Sequence, residues 1–109
     1  MEKEKVELII ALYKKILENL DKAEKAIREN KHVDKIKYME KVENIILELN
    51  QSLDMKNGGE IAQKLASLYD FALYNLTKAN LKNDLEALKG VRKVINILLE
   101  GWEKLKNKL

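Results

Sequence analysis

Residues 6–27 read Val6-Glu7-Leu8-Ile9-Ile10-Ala11-Leu12-Tyr13-Lys14-Lys15-Ile16-Leu17-Glu18-Asn19-Leu20-Asp21-Lys22-Ala23-Glu24-Lys25-Ala26-Ile27. Val6, Ile9, Tyr13, Ile16, Leu20, Ala23 and Ile27 recur there at alternating steps of three and four. A half-buried strand needs a step of two. This spacing instead lines one edge of an α-helix packed at a shallow angle on its neighbours. The same rhythm returns three times. Met39, Val42, Ile46, Leu49 and Leu53 carry it in a second segment, and Ile61, Leu65, Leu68, Ala72, Leu76 and Ala79 in a third. Leu88, Val91, Ile95, Leu98, Trp102, Leu105 and Leu109 carry it in a fourth. Leu68, Tyr69, Leu76, Leu98 and Trp102 are expected in the core.

The breaks are short: Asn30-Lys31-His32, Asp54-Met55-Lys56-Asn57-Gly58-Gly59, and Asn80-Leu81-Lys82-Asn83. Asn57 with Glu60, and Asn83 with Glu86, have capping-box spacing, in which the Asn accepts from a first-turn N–H and the Glu reaches back. Gly58-Gly59 supplies a turn with positive φ. Short connections make successive helices antiparallel. The expected fold is all-α: an antiparallel up-down four-helix bundle, with room for a short extra helical turn, forming one domain over residues 1–109.

Composition narrows the function. The 109 residues include no Cys, no Pro and four Gly, which excludes a disulfide framework, a thiolate metal site and a cysteine nucleophile. The net charge is +3 and the pI about 9.0. The signs are interspersed, however, and only Arg28 and Arg92 of the 21 basic residues are arginine. Sequence-reading nucleic-acid surfaces favour arginine forks or aromatics among basic residues, so neither nucleic acid nor a membrane is expected as a partner. The charged start Met1-Glu2-Lys3-Glu4-Lys5 and the short apolar run after it give no signal peptide and no spanning helix, and the expected compartment is the cytoplasm.

Catalytic and metal signals are absent. The single His32 follows Glu29 at Glu-x-x-His spacing, but a carboxylate-bridged metal site needs two such pairs and further carboxylates facing the core. His32 reads as a solvated loop residue. Gly58-Gly59 has neither the GxxxxGK pattern nor the preceding strand of a phosphate loop. No enzyme, metal or cofactor is expected.

Apolar surface in excess of the seams remains. Leu8 and Leu12 sit one turn apart off the first seam, and Phe71 and Tyr74 fall outside the third. Gly90, Val94, Ile97 and Gly101 line up beside the fourth as a shallow channel with small residues at both ends. Stripes that a small bundle does not need for itself mark a partner surface. On these residues alone, a helix-binding module and a self-associating bundle with a homodimer face both fit.

One block is more specific. Ser52-Leu53-Asp54 is followed by Gly59-Glu60-Ile61-Ala62, Leu65, Leu68-Tyr69-Asp70, Leu76 and Ala79-Asn80. It resembles the core pattern of the flagellar secretion chaperone family FliS. Leu8-Ile9-Ile10-Ala11-Leu12-Tyr13, Ile45-Ile46 with Glu48-Leu49, Asn83-Asp84 with Ala87-Leu88, and the late Trp102 are similar to other parts of the family pattern, in the same order. Two features depart from it. The first helix begins almost at Met1, where family members carry a segment with a Tyr and a Ser-Pro that caps the client groove; a short natural or trimmed form is expected. Tyr13 is followed by Lys14-Lys15 in place of Asp and Gly.

The resemblance implies a cytoplasmic bundle that binds the disordered C-terminal segment of flagellin, prevents premature polymerisation and aids type III flagellar export, without cofactor or nucleotide. A flagellar export-gate protein is a further candidate partner, and a monomer or weak dimer is expected in the absence of client. Leu8, Leu12, Phe71, Tyr74, Val94, Ile97 and Gly101 are the residues expected to touch the client.

Overall fold

The computed structural model describes residues 2–109. They form four helices, α1 (Lys3–Arg28), α2 (His32–Gln51), α3 (Gly59–Lys82) and α4 (Leu85–Asn107). His32 opens α2 and is not a loop residue. α1 packs on α2 and α4, and α3 packs on α4 and α2, which leaves α1 and α3 on one diagonal of the bundle. Arg92, early in α4, reaches Asp21 and Glu24, late in α1, at 2.6 and 3.0 Å. Lys35, at the start of α2, reaches the end of α3. Neighbouring helices are therefore antiparallel, and they run along the 43 Å long axis of the molecule.

The connections are closed by asparagine in a way the capping-box spacing does not anticipate. Asn30 and Asn83 both adopt left-handed backbone, at φ 58° and 52°. Asparagine tolerates this conformation better than other side chains. The residue after each donates its N–H back across the helix end, Lys31 to the Ala26 carbonyl at 2.8 Å and Asp84 to the Ala79 carbonyl at 3.3 Å, the Schellman closure. Asn83 thus ends α3 and does not start α4. Asp84 takes the starting role, its Oδ1 accepting from the Glu86 and Ala87 N–H groups at 3.0 and 3.1 Å.

Asn57 does not cap α3 either. Its backbone and side-chain amides donate to the Asp54 carboxylate at 3.0 and 3.1 Å, and Gly58 stands at the helix start without a side-chain cap. The two glycines serve different needs. Gly59 supplies the left-handed φ of 56°. A Cβ on Gly58 would lie 2.5 Å from the Asp54 carbonyl oxygen and 2.6 Å from Ala62 Cβ. Hydrogen-bonded turns fill this connection.

The core runs through Ile16, Leu20, Val42, Ile46, Leu76, Leu88, Val91 and Ile95. In α1 the seam starts with Val6 and Ile10, and Ile9 is only half-buried. In α3 the inward row is Ala62, Tyr69, Ala72, Leu76 and Ala79, so Ile61 and Leu68 are not core residues. Leu98 and Trp102 are half-buried and pack against the core. Ile61-Ala62 and Leu68-Tyr69 are doublets that allow two overlapping rows, each at steps of three and four. The row containing Tyr69 prevails because its phenol finds a partner. Tyr69 OH lies 2.6 Å from Tyr13 OH across the α1–α3 diagonal, and Trp102 Nε1 donates to Tyr13 OH at 3.1 Å.

Two polar groups are buried besides this cluster. Asn19 donates to the Lys15 carbonyl at 2.9 Å. Lys35 donates to the Asn80 carbonyl at 2.9 Å and to Asn83 Oδ1 at 2.8 Å. The ammonium of α2 therefore closes the C-terminus of α3, where a cation is favoured by the helix dipole. At the other interface the Arg92 guanidinium, hydrogen-bonded to Glu24, holds that carboxyl below the usual carboxylate range.

Lys35→Ala should leave the Asn80 carbonyl without its buried donor and cost about 1–3 kcal/mol in chemical denaturation. A second test is alkaline. Burial pushes the Tyr13 and Tyr69 phenols up, so the folded chain holds both protons more tightly than the unfolded chain does. Their contribution to stability is complete below pH about 10 and is lost as pH rises through the folded values. Tyrosinate absorbance from these two residues should therefore appear together with loss of helicity, and Tyr69→Phe should reduce the alkaline sensitivity.

Candidate partner-binding surface

The row that turns Tyr69 inward leaves Ile61, Leu68 and Phe71 on the flank of α3 that faces α4. Phe71 marks the junction: a Cβ on Gly90 of α4 would sit 4.0 Å from its ring edge. From that contact, antiparallel packing sets Leu68 and Ile61 successively along α3 beside Val94, Ile97 and Gly101 along α4. At about 100° per residue, Gly90, Val94, Ile97 and Gly101 fall on the flank of α4 opposite Arg92, which faces α1. The result is an apolar crevice on the outside of the α3–α4 pair. Phe71 is 48% exposed, Ile97 59% and Ile61 73%, while Val94 is half-buried. A shallow hollow beside it is lined by Glu60, Gln63, Lys64, Ser67 and Leu68.

The bundle does not need the two glycines for its own packing. A Cβ on Gly101 would meet nothing within 4 Å, and one on Gly90 would make ordinary contact with Phe71. Glycine inside a helix costs about 0.5–1 kcal/mol relative to alanine. Both positions therefore leave the channel open at a cost to stability.

Helical register sets Phe71, Val94, Ile97 and Gly101 along this junction, but not every sequence-predicted residue. Tyr74 is 69% exposed on the outward face of α3 next to the crevice. Leu8 and Leu12 lie elsewhere. Leu12 is roughly 180° around α1 from Asp21, whose partner is on α4, so both leucines face the α2 side. Leu12 is half-buried against the core, and Leu8 is exposed. Ile61 and Leu68 join the crevice although their spacing assigns them to the core. The signal for them was the neighbouring Ala62 and Tyr69, which offer an equally regular inward row.

Comparison with known proteins now bears on this surface. The sequence matches the family described as flagellar protein FliS over residues 1–109. The chain belongs to the FliS family. Among FliS relatives, the flagellar secretion chaperone FliS of Campylobacter jejuni is 34% identical over 100 residues, covering 92% of this chain and 78% of that protein. The Escherichia coli protein of the same name is 30% identical over 98 residues, 89% of this chain and 72% of its own length. The Salmonella typhimurium FliS match is 38% identical over 60 residues, 55% of this chain and 44% of that protein.

Among the described residues no group of three or more His, Cys, Asp or Glu could hold a metal ion, and no helix is long and apolar enough to cross a membrane.

Gly101→Ala should raise stability by about 0.5–1 kcal/mol, because the methyl group fits and the helix gains propensity. Thermal melting of the purified variant tests this, and a loss of stability would mean that the channel is occupied by the bundle itself.

Proposed function

We propose that this chain is a cytoplasmic, flagellin-specific export chaperone without catalytic activity. It holds the disordered C-terminal segment of flagellin, prevents premature polymerisation and aids delivery to the type III flagellar export apparatus. The observation that carries the reading is a row of exposed apolar side chains, Ile61, Phe71 and Ile97, that helical register sets along the α3–α4 junction in a chain of the FliS family.

The physical mode is a helix in a groove. An amphipathic client segment cannot bury its apolar face alone. It folds as short helices against Phe71, Val94, Ile97 and the Gly101 gap, with Tyr74 at the edge. Leu8 and Leu12 form a separate apolar patch on the α1–α2 side, which suits a client that wraps around the bundle rather than docking at one point. Ordering the client offsets part of the contact energy, and that suits a chaperone that must release its cargo to an export-gate partner. The alternative is a self-associating bundle in which the crevice is a homodimer face.

Mixed with flagellin, the chain should form a one-to-one complex and block filament growth, and flagellin lacking its C-terminal segment should not bind. Phe71→Asp and Ile97→Asp should each abolish binding while helicity is retained and stability changes by only about 0.5 kcal/mol, as expected for exposed sites. Equal binding of the truncated flagellin would overturn the mechanism. A tight dimer of the isolated chain in sedimentation, dispersed by the same substitutions, would favour the self-associating bundle.

A further inference from the structure

The lysines that are scattered in sequence are gathered by the fold on the α1–α2 face, across the bundle from the α3–α4 crevice. Tyr38 of α2 is their centre. The ammonium groups of Lys22, Lys37 and Lys41 lie 5.6, 5.7 and 5.8 Å from its ring centroid, so three like charges gather around one half-buried ring. An aromatic quadrupole attracts each cation, but it does not neutralise any of them.

Carboxylates are in short supply on this face. Lys22 shares Glu18 with Lys15, at 3.2 and 3.4 Å. Lys25 and Lys31 share Glu29, at 4.0 and 3.0 Å. Among the described residues Lys37 and Lys41 have no ion-pair partner. With Asp34 counted, six lysines face three carboxylates, an excess equal to the net charge of the whole chain. An open hollow of about 270 Å³ lies between the helices here, lined by Lys22, Lys25, Lys31 and Tyr38 together with Glu29 and Asp34.

We propose that the basic face around Tyr38 is a second docking surface, and that its occupant is an acidic segment of a partner protein other than the secretion client. Charge complementarity identifies the occupant as anionic, and three features favour a peptide over a nucleic acid. The cations are all lysine, with no guanidinium fork for phosphate or base edges. The patch has a single aromatic ring, half-buried, where stacking platforms for successive bases need several exposed ones. Glu18, Glu29 and Asp34 interrupt the patch, which opposes a continuous phosphate backbone but leaves room for side-chain carboxylates spaced along a peptide. Contacts of this kind act through charge, which steers association and weakens with salt.

The test uses the full chain and a fluorescein-labelled oligoglutamate peptide, read by fluorescence anisotropy at low and at physiological salt. Lys37→Glu/Lys41→Glu should weaken peptide binding by about tenfold or more. Lys56→Glu/Lys108→Glu, which changes net charge equally at exposed sites elsewhere, should weaken it far less. Saturating flagellin should leave the bound peptide in place, because Leu8 and Leu12 lie about 15 Å or more along α1 from Lys22. Four results would each overturn the proposal: no peptide binding, equal losses in the two double variants, displacement of the peptide by flagellin, or tighter binding of a single-stranded RNA oligonucleotide than of the peptide. Circular dichroism of both double variants establishes that they are folded, and Tyr38→Phe, which keeps the ring, should retain binding.

Discussion

The hydrogen bond between Tyr13 and Tyr69, extended by the Trp102 indole, is the constraint around which the rest of the bundle is arranged. A buried phenol without a partner is costly, so two tyrosines on diagonal helices must meet at one level. That requirement sets the register of α1 against α3, and Trp102 then sets the level of α4. Aliphatic side chains can slide past one another with modest loss, whereas three polar atoms on three helices meet in only one alignment. The two helices lie on a diagonal, and it is the length of the two tyrosine side chains that lets their hydroxyls meet between them.

The same constraint shapes the outer surface. Turning Tyr69 inward rotates Leu68 and Ile61 out toward α4, beside a stripe of α4 that carries glycine at both ends. The crevice is thus a by-product of satisfying the core, widened by two glycines that the core does not require. Lys35 and Asn83 fix the other end, where α2, α3 and the start of α4 converge. Arg92 fastens α4 to α1 on the opposite flank. With both flanks of α4 occupied in these different ways, the apolar side stays open to solvent and the polar side is closed.

Much of this was legible in the chain. Alternating steps of three and four located all four helices, and the off-seam residues Phe71, Val94, Ile97 and Gly101 pointed to the crevice. What the sequence hid has specific causes. Ile61-Ala62 and Leu68-Tyr69 are apolar doublets for which periodicity alone allows two inward rows, and only the Tyr13 hydroxyl, more than fifty positions away, decides between them. Asn83 carries both a capping-box spacing and a tolerance for left-handed backbone, and the second use prevailed because Asp84 could take over the first. Leu8 and Leu12 looked like part of one partner surface, but which side of the bundle a flank faces depends on helix order around the ring. The lysine cluster at Tyr38 was invisible for the same reason: its members come from two helices.

The closure of the ring by its first and last helices has a consequence for synthesis. Trp102 and Arg92 belong to the fourth helix, yet their partners Tyr13, Asp21 and Glu24 belong to the first. A growing chain can form the α1–α2 hairpin and its asparagine closure early, because those contacts are local. Its tyrosine pair lacks the covering indole, and α1 lacks one of its two neighbours, until α4 emerges. During translation the nascent polypeptide therefore exposes much of the apolar face it will later bury, until the fourth helix has been made.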